Sequence, residues 1–338
     1  MRGITILLLS LVCACSAALA DAAAYNAGIV RLTVADKTDH FDTMVFFPTH
    51  EHVVAWQAGP FTVNATRNAA PAADNRFPVV LISHGRGGGP LSHRELAIAL
   101  ARAGFIVVVP THVGDAARYP RASSQARILI DRPRQAEAAL NAVLADRRFS
   151  SHVDINRIGM IGYSAGGYTA LILAGAKPDF AYAMAYCANH NDPASCASST
   201  PANQAQGGAV KEAPVPAALA AWQPPVDHRL KALVLMDPLA LMFKAPGLSA
   251  VRVPAMLYRP QDDSYLSAAR NAQAIASGLP TQPITHIVPG NHFIFIDPCP
   301  ASIAAGAAAI CRDASGIDRA QIHRRIEHEV AEFLQTHL

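Results

Sequence analysis

The sequence predicts an α/β protein built on a doubly wound, mostly parallel sheet with a cap or lid insertion. Three observations carry this. Short, unbroken apolar runs alternate with helix-spaced stretches through most of the chain, as strands covered on both faces require. Residues able to do chemistry fall just past the ends of those runs, where open α/β sheets bind their ligands. Between residues 177 and 229 the alternation lapses into Ala, Pro, Gln and Asn, a stretch too long for a structureless loop and so read as an insertion over the strand ends.

In chain order, residues 29–34 and 43–47 read as two early strands, candidates for a hairpin, and 57–75 as a polar, alanine-rich connection. Residues 78–83 (PVVLIS) form a buried strand ending at the glycine-rich loop 84–89 (HGRGGG), followed by a helix over 92–103 closed by Gly104. A strand at 105–109 leads to a helix over 131–146, with Pro133 near its start. Then comes RIGMIGYSAGG, residues 157–167: a strand over 157–161, a helix over 165–176, and Ser164 on the turn between them. Glycines flanking that serine admit backbone geometry that a Cβ would obstruct, the arrangement of a nucleophile elbow. Beyond the insertion, strands are expected at 232–236, 255–258 and 285–288, and helices at 267–277 and 319–337.

With 338 residues, 51% of them hydrophobic and 16% charged, the chain can bury a large core as one catalytic-sized domain over 21–338. A formal charge of +3 from scattered Lys and Arg gives no basic face, so nucleic acid is not an expected partner. Arg2, an apolar run and Ala18-Leu19-Ala20 describe a signal peptide over 1–20 and hence export to the periplasm or beyond; a lipoprotein-type site at Cys15 is the weaker alternative. Cleavage after Ala20 removes Cys13 and Cys15. Four cysteines then remain, and sequence proximity favours the disulfides Cys187 with Cys196 and Cys299 with Cys311. No C-x-x-C pair supports a metal site, and the pairs His50 with His52 and His323 with His328 lack a third ligand at metal spacing. The glycine run 87–89 belongs to no phosphate-cradling motif.

The strand-end residues supply a serine, several acids and a histidine in the order Ser, Asp, His, the chain order of an α/β-hydrolase triad. Ser164 is the expected nucleophile. His292, after a strand and a glycine-containing turn, is the expected base, with His112 and His84 as fallbacks. For the acid, Asp263 after the strand at 255–258 is preferred over Asp237 after the preceding strand and over Asp262. The expected oxyanion donors are the backbone N–H groups of Ala165 and Arg86.

From about Pro78 to the C-terminus the chain resembles the α/β-hydrolase superfamily. Within it, the chain is similar to secreted esterases of the dienelactone hydrolase and platelet-activating-factor acetylhydrolase kind. The resemblance rests on HGRGGG at 84–89, DRPR at 131–134, RIGMIGYSAGGYTAL at 157–171 and HFIFIDPC at 292–299. It implies Ser164 as nucleophile and His292 as general base. Dienelactone hydrolases proper use cysteine at the elbow, so serine here points to ordinary ester hydrolysis. The expectation is an exported serine esterase with no cofactor or metal, acting on a small-molecule or lipid-like ester, with no partner protein implied. Amide or peptide hydrolysis by the same triad, and a catalytically silent binding protein of the same fold, are the alternatives.

Overall fold

The computed structural model describes residues 25–37, 39–117, 119, 124–192, 194–196 and 214–338. The expected signal segment with Cys13 and Cys15, and the middle of the 177–229 insertion, lie outside them.

The strands are β1 (Asn26–Asp36), β2 (Asp39–Thr49), β3 (Trp56–Ala58), β4 (Phe61–Val63), β5 (Thr66–Arg67), β6 (Phe77–Ser83), β7 (Ile106–Pro110), β8 (Val153–Tyr163), β9 (Leu230–Met236), β10 (Ala255–Pro260) and β11 (Ile284–Val288). The helices are α1 (Arg94–Arg102), α2 (Gln125–Ala145), α3 (Ala165–Leu173), α4 (Phe180–Asn189), α5 (Ala217–Ala220), α6 (Ala245–Leu248), α7 (Ala272–Gly278), α8 (Ala301–Ala304), α9 (Ala308–Cys311) and α10 (Arg319–His337). Among the described residues nine strands form one sheet in the order β11-β10-β9-β8-β6-β7-β2-β1-β5. All neighbours are parallel except that β2 runs against both β1 and β7. This is the doubly wound, mostly parallel sheet that the alternation predicts.

The unbroken apolar runs have a direct cause. In β6, Val79 and Leu81 face one core while Val80 and Ile82 face the other, and β7 divides Ile106 and Val108 from Val107 and Val109 in the same way. One core is closed by α2, α3 and α7, with Leu140, Leu171 and Ile275 buried in it. The other is closed by α1 and α10, through Leu96, Leu100, Ile326 and Phe333.

Three elements differ from expectation. The helix expected from residue 131 starts at Gln125, where the Ser124 side chain accepts from Arg127 N, so Pro133 lies inside it. An interior proline leaves the carbonyl four residues back without its helical donor. That carbonyl, of Leu129, instead accepts a hydrogen bond from the Tyr168 hydroxyl at 3.2 Å. The connection over 57–75 holds part of the β3–β4 hairpin and β5. The helix expected over 267–277 is split at Asn271, whose backbone leaves helical geometry at φ −122° and ψ −97° and whose side chain accepts from Ala240 N at 2.8 Å.

Candidate active site

β8 runs straight into α3, and Ser164 makes the corner with φ 53° and ψ −117°, a conformation costly for any residue with a Cβ. The corner is held by its backbone: Ser164 N donates to Met236 O at 3.0 Å, while Gly167 N at 2.8 Å and Leu239 N at 2.9 Å donate to Ser164 O. The flanking glycines are steric necessities. A Cβ on Gly162 would run into the carbonyl of Gly166, and one on Gly166 into the carbonyl of Ser83 on the neighbouring strand. Sequence and structure thus agree on the elbow.

His292 follows β11 through Gly290, whose φ of +117° turns the chain back over the sheet. The imidazole is buried, and its main-chain carbonyl accepts from the Tyr163 hydroxyl at 3.0 Å. Its Nε2 lies 3.0 Å from Ser164 Oγ and its Nδ1 lies 2.5 Å from Asp237 Oδ2. The expected preference among the acids is therefore corrected. Asp263 Oδ2 stands 3.9 Å from the same nitrogen, and its Oδ1 is occupied by Tyr265 N at 2.7 Å and Leu266 N at 3.0 Å. Asp237 wins the contact because it sits directly after β9 with φ 41°, its N–H held by Tyr258 O at 2.8 Å. Asp262 is exposed and does not reach the imidazole. The fallback histidines lie beneath the glycine-rich loop: His84 Nε2 accepts from His112 N at 3.2 Å, and His112 Nε2 is 2.8 Å from Ser83 Oγ.

Burial shifts each member of the site. It pushes the Asp237 carboxyl up to about 7, against a hydrogen bond with Asp263 that favours the ionised form. Asp263 rises to about 7 through burial and then through its hydrogen bond with, and the charge of, Asp237. His292 falls to about 4 because its surroundings disfavour the imidazolium, although Asp263 works in the other direction. Asp237 Oδ1 and Asp263 Oδ2 are both buried without a donor among the described residues. One proton held between the two carboxyls satisfies both. The two acids and His292 bring donor atoms within 4.8 Å of one another, a spacing that could bracket a cation, but both ring nitrogens of His292 are already engaged.

The loop after β6 carries Arg86, and its shape is fixed from below. Gly87 N donates to Asp115 O at 2.9 Å, and Gly89 N to Ser92 Oγ at 3.0 Å. Arg132 of α2, fully buried, binds Asp115 through Nη1 at 2.5 Å, the His84 carbonyl and Ser83 Oγ through Nη2, and Thr169 Oγ1 through Nε at 3.2 Å. It ties α2, α3 and the end of β6 to the loop. Sequence reasoning gave neither Arg132 nor Asp115 a role; the DRPR motif was the available signal. Ala165 sits at the N-terminus of α3, beside the serine, where helix N–H groups lack helical partners.

A cavity of about 170 Å³ opens beside Ser164 and His292, bounded by Arg86, Gly87, Tyr265 and Phe293. Its far wall comes from Phe61 in the β3–β4 hairpin and from Ile303, Ile310 and both cysteines of the Cys299–Cys311 disulfide. Both expected disulfides are formed, with Cα atoms 5.5 Å apart for Cys187–Cys196 and 5.6 Å for Cys299–Cys311. The described parts of the 177–229 insertion line none of this cavity; they pack beside it, where the Ala194 carbonyl meets Arg86 Nη1 at 3.4 Å.

Comparison with known proteins agrees with this architecture. The model of the dienelactone hydrolase family, within the α/β-hydrolase superfamily, matches residues 65–221. Lipase 1 of Moraxella sp. (strain TA144) is 30% identical, over 33% of this chain and 49% of that protein, so the chain spans about half the length of the curated relative it matches. Among solved structures, a ferulic acid esterase from Streptomyces cinnamoneus superposes with a TM-score of 0.60 at 17% identity, covering 95% of this chain and 92% of that one. A dienelactone hydrolase-like promiscuous phosphotriesterase from metagenomic libraries gives 0.54 at 15% identity, covering 92% and 98%. At such identities the likeness is one of fold. No helix among the described residues is long and apolar enough to cross a membrane.

Proposed function

From a dienelactone hydrolase family domain on an α/β-hydrolase fold, we propose an exported serine hydrolase that cleaves carboxylic esters through an acyl-enzyme, with Ser164 as nucleophile, His292 as general base and Asp237 as the acid that orients it. The observation that carries this reading is the continuous chain from Ser164 Oγ to His292 Nε2 at 3.0 Å and from Nδ1 to Asp237 at 2.5 Å. The esterase and lipase among its relatives point the same way. Two formed disulfides support an oxidising destination outside the cytosol.

As Ser164 Oγ bonds to the acyl carbon, its proton passes to His292 Nε2 and the carbonyl electron pair moves onto oxygen. The backbone N–H groups of Ala165 and Arg86 receive that oxyanion, and losing one such donor costs on the order of 3 kcal/mol of transition-state stabilisation. Collapse expels the alcohol, which takes the proton from Nε2 and leaves an acyl-serine. Water, deprotonated by the same nitrogen, then releases the acid. Asp237 holds the Nδ1–H tautomer and stabilises the imidazolium that forms in each half-reaction. The kept-down basicity of His292 suits this cycle, because a base must be neutral before it can accept.

The test is labelling of wild type and Ser164→Ala by a fluorophosphonate probe alongside cleavage of nitrophenyl acetate. Wild type is expected to label and turn over; Ser164→Ala is expected to do neither. Equal labelling, or undiminished cleavage by the variant, overturns the assignment.

A further inference from the structure

The segment from Cys299 to Cys311 contributes a wall to the cavity yet has no core of its own. Its two short helices, α8 and α9, bury no side chain. Ile303 and Ala307 reach the cavity from a stretch otherwise open to solvent, and Ile310 remains 36% exposed while lining it. Four-residue helices are unstable in isolation, so other contacts must hold this segment in place. The Cys299–Cys311 disulfide closes it into a loop. At its ends, Arg94 Nη2 donates to Pro298 O at 3.1 Å and Arg319 Nη2 to Ile310 O at 2.9 Å. The wall is therefore a strap at the mouth of the site, closed into a loop by its own disulfide and tied to the fold at its ends by Arg94 and Arg319.

We propose that this strap determines acyl-group specificity: the Cys299–Cys311 loop, through Ile303, Ala307 and Ile310, closes the cavity beside Ser164 and restricts the enzyme to esters of short or compact acyl groups. The proposal rests on the esterase reading above. A cavity of about 170 Å³ is smaller than the roughly 300–1,000 Å³ of sites for drug-sized ligands. Its lining is predominantly apolar and includes Phe61, Phe293 and the strap isoleucines, which suits a hydrocarbon acyl chain. The insertion at 177–229, whose described residues stay outside the cavity, is not assigned this role.

The experiment compares kcat/KM for nitrophenyl acetate, butyrate and octanoate across three variants. Cys299→Ser/Cys311→Ser releases the strap and is expected to raise the octanoate-to-acetate ratio about tenfold, the lower range for methylene discrimination in a hydrophobic pocket. Ala307→Trp fills the cavity with the disulfide intact and is expected to lower the butyrate-to-acetate ratio by a similar factor. Cys187→Ser/Cys196→Ser, removing the other disulfide, is expected to leave the profile unchanged. Strap variants that label with fluorophosphonate yet keep the wild-type profile overturn the proposal, and if the released strap prevents folding, Ala307→Trp alone decides. Absence of both labelling and ester cleavage in wild type would instead overturn the esterase reading.

Discussion

Two carboxylates face the buried edge of His292, and only one touches it. Asp237 lies at 2.5 Å from Nδ1 and Asp263 at 3.9 Å, so the first is placed to fix the tautomer, while the second acts on Asp237 and, through its charge, on the imidazole. Changing Asp237 to Asn removes the acceptor and allows the wrong tautomer, with an expected loss in kcat of about 10⁴. Asp263→Asn keeps a donor for Asp237 and is expected to cost no more than about tenfold. Steady-state kinetics of the two variants separates the roles, and the reverse ranking would make Asp263 the orienting acid. The pH dependence has one sign from both sources. As pH falls, a protonated Asp237 no longer stabilises imidazolium, and a protonated His292 no longer accepts from Ser164. With the acids raised to about 7 and the histidine lowered to about 4, kcat/KM is expected to climb with pH across that interval and level off above it. A pH profile that falls over the same range would contradict the assignment. The juxtaposition of Ser164 with His292 was foreshadowed by the glycine-marked turns at both positions, although His84 offers the same sequence signal. The acid was not: Asp237 and Asp263 both turn inward after neighbouring strands, and only the distances in the folded chain, 2.5 Å against 3.9 Å, separate them.

At the scale of elements, the loop after β6 depends on a helix that lines no part of the cavity by Ser164. Arg132 of α2 is buried against Asp115, the His84 carbonyl and Thr169 of α3, so it holds the β6 loop and the elbow helix together. Removing one partner of a buried ion pair strands the other's charge, at a cost of about 3–5 kcal/mol. Arg132→Met is expected to lose that much in urea denaturation. An activity loss beyond the unfolded fraction is also expected, since Gly87 hangs from Asp115. A variant of unchanged stability and kcat would show that the loop holds its own shape. Strands were the most legible elements, because those buried on both faces must be apolar at every position. Short or tertiary-dependent elements were less so. The β3–β4 hairpin is three residues per strand, and the first turns of α2 precede an interior proline that local rules read as a start. That helix continues through Pro133 because Tyr168 supplies the missing donor, a contact made 39 residues away in sequence.

Across the whole molecule, the edge that carries the candidate site and the stabilising faces are separate. Ser164, Asp237 and His292 sit at one end of the sheet, whereas one face is closed only when α10, the last element of the chain, packs beside α1. Val330 and Leu334 of α10 are fully buried there, with Phe333 only 4% exposed, so the C-terminal helix completes a core begun by strands far earlier in the chain. Phe333→Ala deletes most of a buried ring and leaves a cavity, with an expected cost of about 3–5 kcal/mol. The urea midpoint is expected to fall at unchanged m, because the surface exposed on unfolding hardly changes. The acyl-chain profile of the folded fraction is expected to stay that of wild type, since Phe333 lines no part of the cavity by Ser164. A changed profile in Phe333→Ala would mean that packing on the α10 face reaches the strap through Arg319, the first residue of α10, which holds Ile310. Stability and specificity would then be coupled through that arginine, and Arg319→Met would reproduce the altered profile without touching the core beneath Phe333.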